Sequence, residues 1–155
     1  MLGAFNTDAL LFRLKHPAIS DTLPCSYIYL ESARFMLRCG IDMIENQRVA
    51  DGIARLGERF LNRFFTPGER EDCEDQPHRL AARLAAKEAV AKALGTGIGD
   101  VRWTDIEIRC NNPRNRPTLF LHGAAAALSQ DRGLTEWDVS LTHTKIYAAA
   151  VVVAK

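Results

Sequence analysis

The positions of apolar residues predict helices in the first half of the chain and strands in the second. β-forming residues predict a strand over Phe35–Ile44, and helical spacing follows from Glu45 to about Phe65. The run Thr66-Pro67-Gly68-Glu69 is typical of a helix start, since Thr66 can cap the helix and Glu69 completes a capping box.

The strongest helix is predicted from Pro77 to Leu94, with Gly95 as its left-handed C-terminal cap. It is apolar on most sides, so we expect it to be largely buried. Four charged side chains interrupt it, in two stripes that pair Arg83 with Lys87 and Glu88 with Lys92.

The pattern of the second half predicts strands, with one short helix over Ala124–Asp131. A turn at residues 111–115 joins strands over Trp103–Arg109 and Arg116–His122, and a hairpin around Thr144-Lys145 joins Glu136–His143 to Ile146–Val153. Helices followed by an antiparallel sheet predict the α+β class.

Residues 1–34 show no sustained period, so we expect an N-terminal extension, partly ordered at best, ahead of a domain over 35–155. Met36 is a candidate alternative start. Lysine plus arginine is 20 and aspartate plus glutamate is 19, which excludes binding by bulk positive charge and argues against a nucleic-acid partner.

The apolar runs are too short for a membrane span, and the N-terminus is a poor signal peptide. The four cysteines form no Cys-x-x-Cys pair, which argues against a zinc ribbon. We therefore expect a cytoplasmic protein with reduced thiols and no membrane association.

Glu88 and Lys92 lie among apolar neighbours, where an unpaired charge is costly. They are either an i,i+4 surface pair, or a pair that binds a metal or lies at an interface. Asp42 follows the apolar Ile41 and is either a helix cap or a ligand. Together, Asp42 and Glu88 would form a hard oxygen site suited to Mg²⁺.

The segment Gly95-Thr96-Gly97-Ile98-Gly99 follows a helix, whereas a dinucleotide-binding fingerprint follows a strand. It is instead a turn that a ligand can approach closely. His143 stands at the end of a predicted strand among the hydroxyls of Ser140, Thr142 and Thr144, in either a structural or a functional role.

Arginines recur at Arg55, Arg59 and Arg63, with Arg48 seven residues before Arg55. If the stretch is one continuous helix, they form a single basic stripe. This stripe is either a solvated face or a docking surface for an acidic protein helix.

In combination, these segments resemble the holo-acyl-carrier-protein synthases, the small class of 4′-phosphopantetheinyl transferases. The resemblance covers about Leu37 to Ala154. It rests on Gly40-Ile41-Asp42-Met43-Ile44-Glu45, Phe65-Thr66-Pro67-Gly68-Glu69, the block from Leu80 to Gly99 with Lys87-Glu88-Ala89-Val90-Ala91-Lys92-Ala93, and Val139-Ser140-Leu141-Thr142-His143-Thr144.

The resemblance implies transfer of the 4′-phosphopantetheine arm of coenzyme A to a serine of apo-acyl carrier protein, with release of adenosine 3′,5′-bisphosphate. It implies Mg²⁺ on Asp42 and Glu88, Lys92 on the phosphates, an arginine stripe that docks the acidic carrier, and a homotrimer with active sites between subunits. The residues that it assigns to coenzyme A are Arg83, Lys92, Gly95, Thr96, Gly97, Ser140, Thr142, His143 and Thr144.

Alternatives remain at this point. The carrier can belong to a polyketide or peptide synthase, the chain can be a non-catalytic coenzyme A-binding trimer, or it can be a structural interaction domain. The general base is either a metal-linked water or Glu88. The sequence departs from the family at Cys39, Ala82, Leu84 and Ala91, but at none of the expected metal ligands.

Overall fold

The computed structural model describes residues 37–97, 99–110 and 115–155. The predicted extension over 1–34 lies outside these residues, as does most of the predicted turn at 111–115. The strands are β1 (Arg38–Glu45), β2 (Ile106–Arg109), β3 (Thr118–Leu121), β4 (Trp137–His143) and β5 (Tyr147–Ala154). The α-helices are α1 (Asn46–Leu56), α2 (Glu58–Phe64), α3 (Pro67–Cys73), α4 (Pro77–Leu94) and α5 (Gly123–Asp131).

A three-stranded antiparallel sheet, in the order β1-β5-β4, forms the base of the fold. Its register pairs Asp42 with Ala150, and the predicted hairpin of β4 and β5 is confirmed. Strands β2 and β3 form a separate antiparallel pair. The α+β class is therefore confirmed.

Helix α4 packs on one face of the three-stranded sheet and is the centre of the core. Its buried residues are mostly alanines, which allow the helix to lie close to the strands. At Gly40 of β1, a side-chain Cβ would collide with the carbonyl oxygen of Ala89. The pair Gly40 and Ala89 therefore sets the separation between β1 and α4.

The opposite face of the sheet, here called the outer face, carries apolar side chains that no described residue covers well. Ile41 is 66% exposed and Met43 is 64% exposed on β1, and Val151 and Val153 beside them on β5 are also exposed. A monomer rarely leaves such a patch open, so it is typical of an interaction surface.

Two predicted elements were wrong. The strand predicted over Trp103–Arg109 begins only at Ile106, because Trp103–Asp105 form a 3-10 helix. The helical stretch from Glu45 to Phe65 is two helices, because Gly57 adopts φ 53° and ψ −131° and ends α1. The start of α3 was correct: Thr66 and Glu69 form the predicted capping box. Gly95 is the left-handed cap of α4, as expected, at φ 74°.

Candidate active site

A cleft of about 380 Å³ opens between β1, α4, and the first two helices. Its polar residues are Asp42, Arg48 and Glu88. Its apolar walls include Ile44, Val49, Phe60, Phe64, Leu84 and Trp103. The structure thus brings together the two carboxylates that the sequence singled out.

Asp42 lies on β1 with its carboxylate beside α4. Lys92 Nζ lies 2.8 Å from Asp42 Oδ1 and donates a second hydrogen bond of 2.8 Å to the carbonyl oxygen of Ile41. Asp42 is not a helix cap, since the N-cap of α1 is Glu45. Of the two interpretations of Asp42, a helix cap or a ligand, the structure excludes the cap and places the side chain in the lining of the cleft.

Glu88 projects from α4 into the same cleft and is half-buried. Burial and the nearby carboxylate of Asp42 raise the pKa of Glu88, against a smaller opposing effect of Lys92. The ion pair of Lys92 joins α4 to β1 and does not follow the i,i+4 spacing within α4. The surface-pair interpretation of Glu88 and Lys92 is therefore wrong.

The carboxylates of Asp42 and Glu88 repel each other, and a cation that prefers oxygen ligands would reduce this repulsion. Among the described residues, no group of three or more His, Cys, Asp or Glu side chains is placed to hold a metal ion. Asp42 and Glu88 alone still suit Mg²⁺, because this ion usually takes one or two protein carboxylates and completes its shell with water and phosphate oxygens.

The predicted arginine stripe is divided between two helices. Arg48 and Arg55 lie on α1, Arg59 and Arg63 lie on α2, and all four are exposed. A single basic stripe required one continuous helix through all four arginines, and the break at Gly57 means that this condition is not met. Arg48 lines the cleft.

The hydroxyl and histidine cluster lies on and just beyond β4, and the described lining of the cleft does not include it. Ser140, Thr142 and His143 are exposed, and the ring of His143 lies 5.2 Å from that of His78. The Thr144 hydroxyl accepts hydrogen bonds from the backbone N–H groups of Ile146 and Tyr147, so this residue shapes the hairpin loop.

Arg83 is buried, with 7% of its surface exposed, and its Nε donates to the carbonyl oxygen of Ile108 on β2. This contact is structural and gives no support to the predicted role in coenzyme A binding. Gly95 and Gly97 are exposed at the end of α4, and the Thr96 N–H donates to the carbonyl oxygen of Ala91.

Sequence reasoning missed the aromatic wall of the cleft. The ring centroids of Phe60 and Phe64 are 4.7 Å apart, and those of Phe64 and Trp103 are 5.0 Å apart. The phenylalanines at 60, 64 and 65 are visible in the sequence, but nothing there indicates that Trp103, about forty residues later, joins them.

The chain is similar in sequence to proteins of a known family. Residues 38–152 match the family model of the 4′-phosphopantetheinyl transferase superfamily. The chain is 44% identical over 122 residues to a holo-[acyl-carrier-protein] synthase of Koribacter versatilis, covering 76% of this chain and 97% of that one. The corresponding protein of Moorella thermoacetica is 47% identical over 124 residues, covering 77% and 94%.

Solved structures give the same relationship. A crystal structure of holo-[acyl-carrier-protein] synthase from Helicobacter pylori in complex with coenzyme A is similar at a TM-score of 0.69 and 32% identity, covering 76% of this chain and 99% of that chain. A holo-(acyl-carrier-protein) synthase from Bacillus anthracis in complex with CoA (3′,5′-ADP) is similar at a TM-score of 0.62 and 33% identity, covering 76% and 94%.

Proposed function

Because the chain belongs to the 4′-phosphopantetheinyl transferase superfamily, we propose that it transfers the 4′-phosphopantetheine arm of coenzyme A to a serine of apo-acyl carrier protein. Adenosine 3′,5′-bisphosphate is the other product. The observation that carries the proposal is the convergence of Asp42, Glu88 and Lys92 at one cleft. Relatives named for this activity cover nearly the whole described domain.

Asp42 and Glu88 are the residues that would hold Mg²⁺. When bound, this ion neutralises charge on phosphate oxygens and so favours displacement at the pyrophosphate. Lys92 lies at the same carboxylate and supplies a second positive charge, which a phosphate group can share with Asp42. Catalysis by this set is electrostatic, because these side chains face the developing charge from fixed positions.

The serine of the carrier must lose a proton, and Glu88, which lines the cleft, is one candidate acceptor where it is not a ligand of the metal ion. A water molecule beside the two carboxylates is the alternative acceptor. The apolar wall around Phe64 and Trp103 limits water near Glu88 and strengthens its electrostatic interactions.

The carrier protein would approach along α1 and α2. Arg48, Arg55, Arg59 and Arg63 are exposed there, and Arg48 is continuous with the cleft. Opposite charge on an acidic helix would accelerate association and orient the serine toward the two carboxylates. On the basis of the family resemblance, the proposed coenzyme A contacts are Gly95, Thr96, Gly97, Ser140, Thr142, His143 and Thr144.

A homotrimer is the proposed assembly. The outer face leaves Ile41, Met43 and Val151 exposed in the single chain, and burial of this apolar surface would favour association. The cleft is also open at one side, so a neighbouring subunit there would help to enclose coenzyme A.

The proposal is tested by incubating the protein with coenzyme A and an apo-acyl carrier protein, with Mg²⁺ or with a chelator, and weighing the carrier by intact mass spectrometry. We expect the carrier to gain one phosphopantetheine group only with Mg²⁺. The Asp42→Ala variant should abolish the gain, whereas Asp51→Ala, which removes an exposed carboxylate on α1, should retain it.

Three carriers, from fatty acid, polyketide and peptide synthesis, separate the proposed substrate from its alternatives. Modification of the fatty acid carrier at the highest kcat/KM supports the proposal. Faster modification of either other carrier reassigns the substrate. Tight binding of coenzyme A without modification of any carrier would overturn the proposal and leave a binding protein.

A further inference from the structure

A fully buried ion pair joins α3 to α4 behind the cleft. Lys87 Nζ lies 2.7 Å from Glu69 Oε2, and neither side chain has any exposed surface. The pair lies outside the set of residues that the proposed reaction uses, although Lys87 directly precedes Glu88 in the sequence.

Each described polar atom of the pair has a partner. Lys87 Nζ donates to the carbonyl oxygens of Trp103 and Ile106, at 2.9 and 2.6 Å, as well as to Glu69. An ammonium group has three N–H donors, so all three are used. Glu69 accepts from the backbone N–H groups of Thr66 and Ile108, at 2.9 and 3.0 Å.

Stability alone is a poor explanation for such a pair, because desolvation of two charges offsets most of their attraction and apolar residues of similar size often replace them without loss. Burial lowers the pKa of the Lys87 ammonium, against the opposing charge of Glu69. What the pair does provide is directional hydrogen bonding between elements that apolar packing would leave free to shift.

The hydrogen bonds of Lys87 also connect two walls of the cleft. One is α4, where the next residue, Glu88, lines the cleft. The other is the segment before β2, where Trp103 accepts a hydrogen bond from Lys87 through its carbonyl oxygen and lines the cleft beside Phe64. A shift at Lys87 would therefore move Glu88 and Trp103 relative to each other.

We propose that Glu69 and Lys87 are positioning residues, which hold Glu88 and the Trp103 wall of the cleft in register for the transfer reaction. The inference rests on the proposed function for its kinetic consequence. Its structural consequence, the placement of Trp103, is independent of that function.

The test replaces the pair by uncharged residues of similar size, in the variant Glu69→Gln/Lys87→Met. No buried charge is left unpaired, but the carbonyl oxygens of Trp103 and Ile106 lose their donor, so we expect a folded protein with a lower melting temperature than the wild type. We expect kcat to fall roughly 10- to 100-fold, because small displacements of reacting groups have effects of this size. The KM for the carrier protein should change much less, since the exposed arginines are unaffected.

Fluorescence gives a readout that a purely structural role would not move. The chain has two tryptophans, Trp103 and Trp137, so a Trp137→Phe background leaves Trp103 as the reporter of the cleft. In this background, we expect the Glu69→Gln/Lys87→Met change to shift the Trp103 emission maximum. The control is Glu58→Gln, which removes one partner of an ion pair of 2.8 Å with Arg70, between α2 and α3, at a side chain that is 69% exposed.

A stable double variant with wild-type kcat and unchanged emission would overturn the proposal. If the double variant does not fold, Glu69→Asp alone decides, because it keeps the counter-ion of Lys87 and shortens only the side chain that positions it. A fall in kcat together with a shift in Trp103 emission supports the proposal, and wild-type values of both overturn it. Absence of transfer by the wild type would instead count against the proposed function, and the emission result would still stand.

Discussion

Lys92 Nζ lies 2.8 Å from Asp42 Oδ1, so the last full turn of α4 is tied to the middle of β1. The lysine side chain is 51% exposed and that of the aspartate 22% exposed. The pair therefore faces solvent and ligands, unlike the buried pair of Lys87 and Glu69. Its position at one end of the cleft is suited to contact with phosphate groups.

Lys92→Met should lower kcat/KM for coenzyme A by roughly 100-fold, since it removes a charge that faces the developing phosphate charge. The free energy of unfolding should change by less than about 1 kcal/mol, because partly exposed ion pairs contribute little. Steady-state kinetics and urea unfolding measure the two effects. Lys145→Met, at an exposed lysine of the hairpin loop, is the control, and equal kinetic losses in both variants would contradict the assignment.

Glu88→Gln should abolish transfer without destabilising the protein. Burial and the charge of Asp42 raise the pKa of Glu88, so its ionised form is disfavoured by folding at neutral pH. Removal of that charge should leave the free energy of unfolding unchanged or raise it by up to about 1 kcal/mol. Chemical denaturation at pH 7 is the measurement, and a clear loss of stability would show that Glu88 has a structural role.

Gly40→Ala should separate β1 from α4. The added methyl group would meet the carbonyl oxygen of Ala89, and neither backbone can move without disturbing the sheet. We expect a loss of about 1–3 kcal/mol in the free energy of unfolding, together with slower transfer, because Asp42 and Glu88 lie on the two separated elements. Gly99→Ala is the control, since nothing lies within 4 Å of its added Cβ, and equal stabilities of the two variants would exclude a clash at Gly40.

Asp72 should contribute to stability in a pH-dependent way. Its hydrogen bonds to Arg109, at 2.9 and 3.0 Å, lower its pKa below the ordinary value of 3.8. A lowered pKa in the folded state means that the stabilisation is present above the ordinary value and is lost as the pH falls through the folded-state pKa.

The free energy of unfolding should therefore fall less steeply between about pH 5 and pH 2 in Asp72→Asn than in the wild type. Urea unfolding at a series of pH values measures the slopes. Arg109→Gln should reduce the same slope, and a wild-type slope in both variants would show that this pair is not responsible.

Val151→Lys should disrupt the proposed trimer. The side chain lies on the central strand of the outer face and is 39% exposed in the single chain, so a lysine there is compatible with the fold but not with a buried apolar interface. Sedimentation velocity should show a trimer for the wild type and a monomer for the variant. Gln130→Lys, at an exposed position of α5, should remain trimeric, and a monomeric wild type would refute the assembly.

The sequence by itself was sufficient for the elements whose signals are local. The capping box of Thr66 and Glu69, the glycine cap at Gly95 and the hairpin of β4 and β5 depend on neighbouring residues, and each was correct. The sequence also singled out Asp42 and Glu88, which both line the cleft, because a charge among apolar neighbours is conspicuous in a sequence. The break at Gly57 was missed because a single glycine within a helical pattern is usually tolerated.

Only the tertiary structure decided which charges meet. The i,i+4 spacing within α4 predicts an ion pair of Glu88 with Lys92, but the packing of α4 against β1 places Lys92 beside Asp42. The same packing buried Arg83 and Lys87 against β2 and brought Trp103 to Phe64. These contacts join residues far apart in the chain, so no local pattern encodes them, and they arise only when the apolar faces of the helices and strands are brought together.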